Sequence, residues 1–523
     1  MKRLPLVFLL FLLLARPLLA DTAVSANITA DTTWTAAGSP YIVTGNIAIG
    51  GPAGVTLTVN PGVTVKFATG SQLLVNSSDK GALVANGTSA DPILFTSNVS
   101  ATAGAWLGLR FGTIAGAPAS SVSYATVEYA GSNFSGFGGI TVHGGSPSFD
   151  HVTARVNQYA GIKIENGAPS IAAGTIRDNG GYGIYLTGGA ATLTDDTFTS
   201  NTSVAASAPA NTQLSGMTGL AATGNGTNGV EFRDGTIAAN RTWKTCALPY
   251  IVTGNIYVQD ASAPVLTIEA GNTVRFNNSG QITANYQNKG GIVAAGTSTA
   301  PILLTSNAAS PAAGNWLGLY FGSFAGGPAS ALSYTTIEYG GNTYNSRGGV
   351  TVYTQSPAFD HATIRNNAWG GVAVYGGSPS FTDTTFVANG GAGINVLNPA
   401  TLTLTNDTFT SNSGFAVTAP APTIFTDNSG LAATGNTGGN YLEIRGGTIA
   451  ASTTWPLSPI AYVVTGNLYV EGASSPILTI AAGNTIRFNN PGQIAVNNTA
   501  KGGLQAIGTA AAPILFTSNG TQS

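Results

Sequence analysis

Apolar and polar residues alternate in short runs that return at a regular step. Gly139-Ile-Thr-Val-His143, Gly161-Ile-Lys-Ile-Glu165 and Gly183-Ile-Tyr-Leu-Thr187 stand 22 residues apart, each with the period of two that marks a half-buried strand. Turn residues follow at once, as in His143-Gly-Gly-Ser-Pro147, Asn166-Gly-Ala-Pro169 and Thr187-Gly-Gly189. A second strand comes next, with apolar pairs at Phe149/Ala154, Ile171/Ile176 and Leu193/Phe198. An asparagine three residues beyond an apolar one then closes the unit: Asn98, Asn157, Asn179, Asn201, Asn307, Asn367, Asn389, Asn412 and Asn519. Helical periodicity persists nowhere after the first twenty residues.

A turn of about 22 residues holding two or three short strands, each paired with its equivalent in the next turn, is a coil of an all-β solenoid, a parallel β-helix. Coils stack roughly 4.8 Å apart, so roughly 20 of them predict a rod on the order of 100 Å long. Ile140, Ile162 and Ile184 with Val142, Ile164 and Leu186 form the predicted inner column. Each such side chain contributes about 1.5–3 kcal/mol when buried. Asparagine at the turns predicts side-chain hydrogen bonds from coil to coil and a left-handed backbone at those positions.

A longer period of about 210 residues contains the shorter one. Tyr41-Ile-Val-Thr-Gly-Asn46 returns at Tyr250 and, as Tyr-Val-Val-Thr-Gly-Asn, at Tyr462; Pro92-Ile-Leu-Phe-Thr-Ser-Asn98 has counterparts at Pro301 and Pro513. Trp34, Trp243 and Trp455 mark one point of each copy, and Trp106-Leu-Gly-Leu109 returns at Trp316. The expected organisation is a leader at 1–20, a first module at 21–240, a second at 241–452, and a third at 453–523 that is truncated or continues beyond this sequence.

Met-Lys-Arg followed by Leu4 to Ala15 has the charged start and short apolar stretch of a secretory signal peptide. The expected mature chain is secreted or carried on the cell surface, with no membrane span. Charged residues make up 8% of the chain and the formal net charge is −2, which excludes the clustered Lys and Arg of a nucleic-acid partner. A single cysteine, Cys246, excludes a disulfide framework and reads as a small, partly buried apolar residue.

The segments Val55-Thr-Leu-Thr-Val-Asn-Pro-Gly-Val-Thr-Val-Lys-Phe67 and Asn86-Gly-Thr88, followed by Pro92 to Asn98, resemble the modules of secreted bacterial right-handed β-helix repeat proteins of the pectate-lyase-like superfamily. The resemblance covers nearly the whole mature chain and implies a right-handed coil. Its members include pectin and alginate lyases, glycosidases, tailspikes and adhesins, so it is specific for scaffold and not for activity.

In the enzymes of that group substrate lies along the outer face of stacked strands, so the outward residues of the Gly-Ile-x-Ile-x runs are the candidates. The first module offers Thr141 and His143, Lys163 and Glu165, Tyr185 and Thr187; the second offers Thr351 and Tyr353, Ala373 and Tyr375, Asn395 and Leu397. His143 and Glu165 are expected neighbours, as are Tyr353 and Tyr375. His143, Lys163 and Glu165 are one candidate acid/base group, although a hydrolase needs a second carboxylate. Tyr185, Tyr353 and Tyr375 are candidate sugar-binding aromatics, with ring faces for the sugar and hydroxyls at the rim.

Several other pairs read as structural. Asp150-His151 and Asp360-His361 recur, but neighbours on a strand point to opposite faces, so turn hydrogen bonding is the expectation. Asp195-Asp196 becomes Asn406-Asp407 in the second module, without the further segments of a glycosidase site. Glu128-Tyr129 and Glu338-Tyr339 read as exposed turns that interrupt the ladder, and Trp106 and Trp316 as packing against the rod. No metal site or cofactor is expected, since calcium-binding Asp spacings are missing. The function expected is a non-catalytic surface or extracellular rod, glycan-binding or adhesive, with a polysaccharide or cell-surface glycan as partner. The alternatives are a polysaccharide lyase or glycoside hydrolase acting through His143, Lys163 and Glu165, and a plain structural spacer.

Overall fold

A computed structural model describes residues 21–520, and the expected leader at 1–20 lies outside the described residues. The described chain is built of 59 short strands with one 3-10 turn at Ala36–Gly38. After the first strand, Thr22–Val24, which pairs with the second one along, Tyr41–Val43, strands pair in parallel with those three further along, so the chain visits three faces per coil. About 19 coils form, at roughly 25 residues each. The 22-residue step holds where coils are bare, as for Ile140, Ile162 and Ile184 in register. It fails where loops are inserted: Leu109 pairs with Leu73 below and Ile140 above. Among the described residues no helix is long and apolar enough to cross a membrane.

Inward residues form one continuous core from Ile28 to Ile486. Trp106 and Trp316 are fully buried and stack on Phe67 and Phe276 at 3.8 and 4.0 Å, with each indole N–H donating to the carbonyl of Glu128 or Glu338. Cys246 is buried too, and burial pushes its thiol up from the ordinary value.

The asparagines separate into two kinds. Asn157, Asn179 and Asn201 are buried and linked in sequence, each Nδ2 donating to the next Oδ1 at 3.0, 2.8 and 2.8 Å, the last reaching Asn225. Asn367, Asn389, Asn412 and Asn436 repeat the ladder at 3.0, 2.9 and 2.8 Å. Asn98 is exposed, while Asn307 and Asn519 make single bonds to Asn277 and Asn489 outside these ladders. The left-handed residue is not the ladder asparagine but the one before it: Val156, Asp178 and Ser200 have φ of 51°, 55° and 55°. That geometry turns the asparagine inward, where its amide is shared between coils. It also explains the recurrent glycine, since a Cβ on Gly139 or Gly349 would lie 2.5 or 2.4 Å from Cγ of Asn157 or Asn367.

The faces do not run straight along the rod. The sixteen-stranded sheet begins as the Gly-Ile-x-Ile face, with strands Ile140–Val142, Ile162–Ile164 and Ile184–Leu186. It passes through Val204–Pro209 and Thr227–Arg233, then continues as strands Tyr250–Val252, Thr273–Phe276 and Thr335–Glu338, which precede the asparagine turns of the second repeat. The Gly-Ile-x-Ile face of the second repeat starts afresh at Gly235–Ile237 in a twelve-stranded sheet. The same step recurs at Gly439–Arg445, where that sheet passes on to Tyr462–Val464 and a new sheet starts at Gly447–Ile449. The single outward face expected from the repeats is therefore two faces on two sheets.

Candidate functional site

Each Gly-Ile-x-Ile face is partly roofed by a loop inserted before its bare coils. In the first repeat Ser132 and Phe137 pair as an antiparallel bridge and leave Phe134 fully exposed at the tip; in the second, Asn342 and Arg347 do the same with Tyr344. These flaps bury the middle residues of the first strands beneath them. Thr141, Thr351 and Ala373 are therefore not outward-presented: Thr141 Oγ1 accepts the Gly138 N–H at 3.1 Å under the flap.

Successive coils bring His143, Lys163 and Glu165 together in the first repeat. Glu165 accepts from Lys163 Nζ at 2.7 Å through one oxygen and pairs with His143 Nδ1 through the other. Arg110 donates to His143 Nε2 from Nε at 3.1 Å and lies 2.7 Å away through Nη2. A guanidinium has only donors, so Nε2 must accept and the imidazole proton sits on Nδ1, facing Glu165. Arg110 also reaches Gln72 Oε1 at 3.3 Å and lies 4.0 Å above the Phe137 ring. Burial would raise the Glu165 carboxyl, but hydrogen bonds from Lys163 and His143 outweigh it and hold the group below its ordinary range. Glu165 is an ionised acceptor with both oxygens engaged.

Tyr185 follows in register with Lys163. Its ring stacks on Tyr182 at 4.4 Å, meets Tyr159 edge-on at 5.6 Å and carries Arg233 at 4.7 Å. Burial, reinforced by Tyr185 and Tyr182, pushes the Tyr159 phenol up to about 12. Sequence patterning passed over Arg110, Phe137, Tyr159, Tyr182 and Arg233. Only the alternation of Leu109-Arg-Phe111 on its strand marks Arg110 as outward.

The second repeat holds different chemistry at these positions. Tyr257, Tyr286, Tyr320, Tyr353 and Tyr375 come from five consecutive strands of the twelve-stranded sheet or the residues just after them, with neighbouring centroids 6.1, 5.8, 5.1 and 4.5 Å apart. Tyr353 and Tyr375 are the expected neighbours and lie within 6° of parallel, stacked face to face, and the Tyr375 hydroxyl donates to the Ser346 carbonyl of the flap at 3.4 Å. Arg347 lies 5.1 Å over Tyr320 and donates to Gln281 Oε1 at 3.1 Å. Burial and Tyr353 push the Tyr320 phenol up, keeping it a donor. A groove of about 470 Å³ runs beside the ladder, lined by Tyr257, Gln281, Tyr286, Tyr320, Arg347 and Tyr353 among others.

Two expectations of exposed or separated side chains fail. Glu128 and Glu338 are buried, each accepting from a threonine one coil below (Thr96 at 2.9 Å, Thr305 at 2.8 Å) and an arginine one coil above (Arg155 and Arg365, both 2.7 Å). Asp150 and His151 do share one side, hydrogen-bonded at 2.9 Å, because His151 is left-handed at φ 52° and ends the strand alternation. Asp360-His361 repeats this, and Asp383 joins it so that ligand atoms lie within 4.8 Å of one another at an exposed turn. Asp196 and Asp407 are fully buried turn residues accepting the N–H of Gly174 and Thr384, each at 2.8 Å.

The family model described as a pectate-lyase like beta helix domain matches residues 26–170 and again 235–378, and one described as a right handed beta helix region matches 348–500. No curated protein and no solved structure matches the chain.

Proposed function

Since the chain belongs to the pectate-lyase-like β-helix domain family, which supplies a scaffold, we propose from its two faces that it is an exported, non-catalytic rod that binds glycan. The observation that carries this reading is the tyrosine-lined groove of the second repeat. Phenol hydroxyls and ring edges, the Gln281 amide and the Arg347 guanidinium together present donors, acceptors and apolar patches along the rod axis. A polyhydroxylated pyranose chain has the matching alternation of hydroxyls and apolar C–H faces. Coils advance by about 4.8 Å, close to the length of one pyranose residue, so one sugar meets each rung.

The first repeat supports the non-catalytic half. A hydrolase needs one protonated and one ionised carboxyl flanking the bond. Glu165 is ionised and doubly engaged, and His143 has its Nε2 taken by Arg110. The rival, a lyase or hydrolase, draws on one specific observation: His143, Lys163, Glu165 and Arg110 do gather in one contact network.

Glycan-array binding of the purified protein and of Tyr353→Ala/Tyr375→Ala tests the reading. Binding by wild type that falls at least tenfold in the double variant is expected; no glycan bound, or equal binding by both, removes it.

A further inference from the structure

One contact is built twice, with its partners exchanged. In the first repeat the guanidinium, Arg110, stands on strand Gly108–Phe111 and the aromatic ring, Phe137, hangs from the flap. In the second repeat the ring, Tyr320, stands on strand Leu319–Phe321 and the guanidinium, Arg347, comes from the flap. Both guanidiniums hydrogen-bond a buried glutamine that opens the strand paired below the clamp's own strand, Gln72 below Gly108–Phe111 and Gln281 below Leu319–Phe321. Retention of the contact despite the exchange marks it as a requirement of the position rather than a chance of surface packing. Each clamp pins a flap beside a row of polar and aromatic side chains.

The two clamps stand on different sheets. The Arg110 face belongs to the sixteen-stranded sheet, and the Tyr320 face to the twelve-stranded one. Followed toward the second repeat, the first face passes Lys163, Tyr185, Ser207 and Glu231. It then meets Ile251, Arg275 and Thr305 on the same sheet, and not the tyrosine ladder. The ladder starts on the neighbouring face, beyond the turn at Thr253 and Gly254.

We propose that the two clamped faces are separate glycan sites and that the chain bridges two polysaccharide strands rather than gripping one along its length. This rests on the glycan-binding reading above. A stiff strand seated along one face cannot follow the step to the next, so the second face is left for another strand. The step recurs at Gly439–Arg445, where the twelve-stranded sheet passes to Tyr462–Val464 and a new sheet starts at Gly447–Ile449.

The test mixes the full chain with soluble β-glucan, arabinoxylan, alginate and hyaluronan. It follows the best-bound polymer by light scattering and a short oligosaccharide of it by calorimetry. Arg110→Gln and Phe137→Ala open the first clamp; Arg347→Gln and Tyr320→Ala open the second, giving two variants for each face in case one fails to fold. Bridging predicts two oligosaccharides per wild-type chain, one per single-face variant, and polymer aggregates that wild type forms and no single-face variant forms. One oligosaccharide per wild-type chain, or aggregation unchanged by opening either clamp, overturns bridging and leaves the glycan reading standing. No binding to any polymer overturns both.

Discussion

The outward faces of the first and second repeats share a scaffold and almost nothing else. Position for position, Arg110, His143, Lys163 and Glu165 face Tyr320, Tyr353, Ala373 and Tyr375, while the asparagine ladders beneath match bond for bond. Inside the rod each residue answers to the coil above and below, so a change there strands buried amides. Outside, a charged network and a tyrosine row are equally compatible with the same strands. The difference places the freedom to vary on the surface and the flaps, and the structural constraint in the ladder.

The comparison is broken most severely by touching what the repeats hold in common. Asn179→Ala and Asn389→Ala each strand donors and acceptors on two coils, and should cost about 2–4 kcal/mol in urea unfolding, by similar amounts. A large loss in one and none in the other would show that the ladders are not equivalent. The next effect concerns Asp407, whose carboxyl burial pushes up to about 8, and Asp196, pushed up to about 7. An acid whose folded value lies above its unfolded one makes the fold less stable as pH rises, from about 4 up to the folded value. Asp407→Asn should therefore gain about 1–3 kcal/mol at pH 9 and almost nothing at pH 4, with Asp196→Asn saturating about one unit earlier. Thermal melts across that range check it, and a gain that does not grow with pH contradicts it.

The smallest effect separates the two faces themselves. Glu165→Ala leaves Lys163 without its carboxylate and frees the His143 N–H, costing about 1 kcal/mol after allowance for solvent screening, and less in high salt. Tyr375→Ala at the equivalent position loses a stacked ring, about 1 kcal/mol with no salt dependence. Equal salt sensitivity in the two variants would erase the contrast.

How much of this was legible in the sequence follows from the same division. The ladder, the inner column and the buried Trp106 were readable because close repeats betray residues with one structural task. The contact of His143 with Glu165, and of Tyr353 with Tyr375, followed from strand register in bare coils. Arg110 was hidden because flap residues separate its strand from Ile140–Val142 and break the 22-residue step. Glu128 was misread as exposed because its partners, Thr96 and Arg155, sit in neighbouring coils. The change of sheet depends on one extra strand position at each junction, at Gly235–Ile237 and Gly447–Ile449; both open a Gly-Thr-Ile-Ala-Ala segment on a positive-φ glycine, a mark that lies outside the 22-residue pattern and was passed over.

The most direct test of a rod that binds without cutting is incubation of purified protein with the polysaccharides it retains, following unsaturated products and new reducing ends. The account predicts bound polymer of unchanged length and no release of either product. Chain cleavage that disappears in Glu165→Ala would contradict it and assign His143, Lys163 and Glu165 to catalysis.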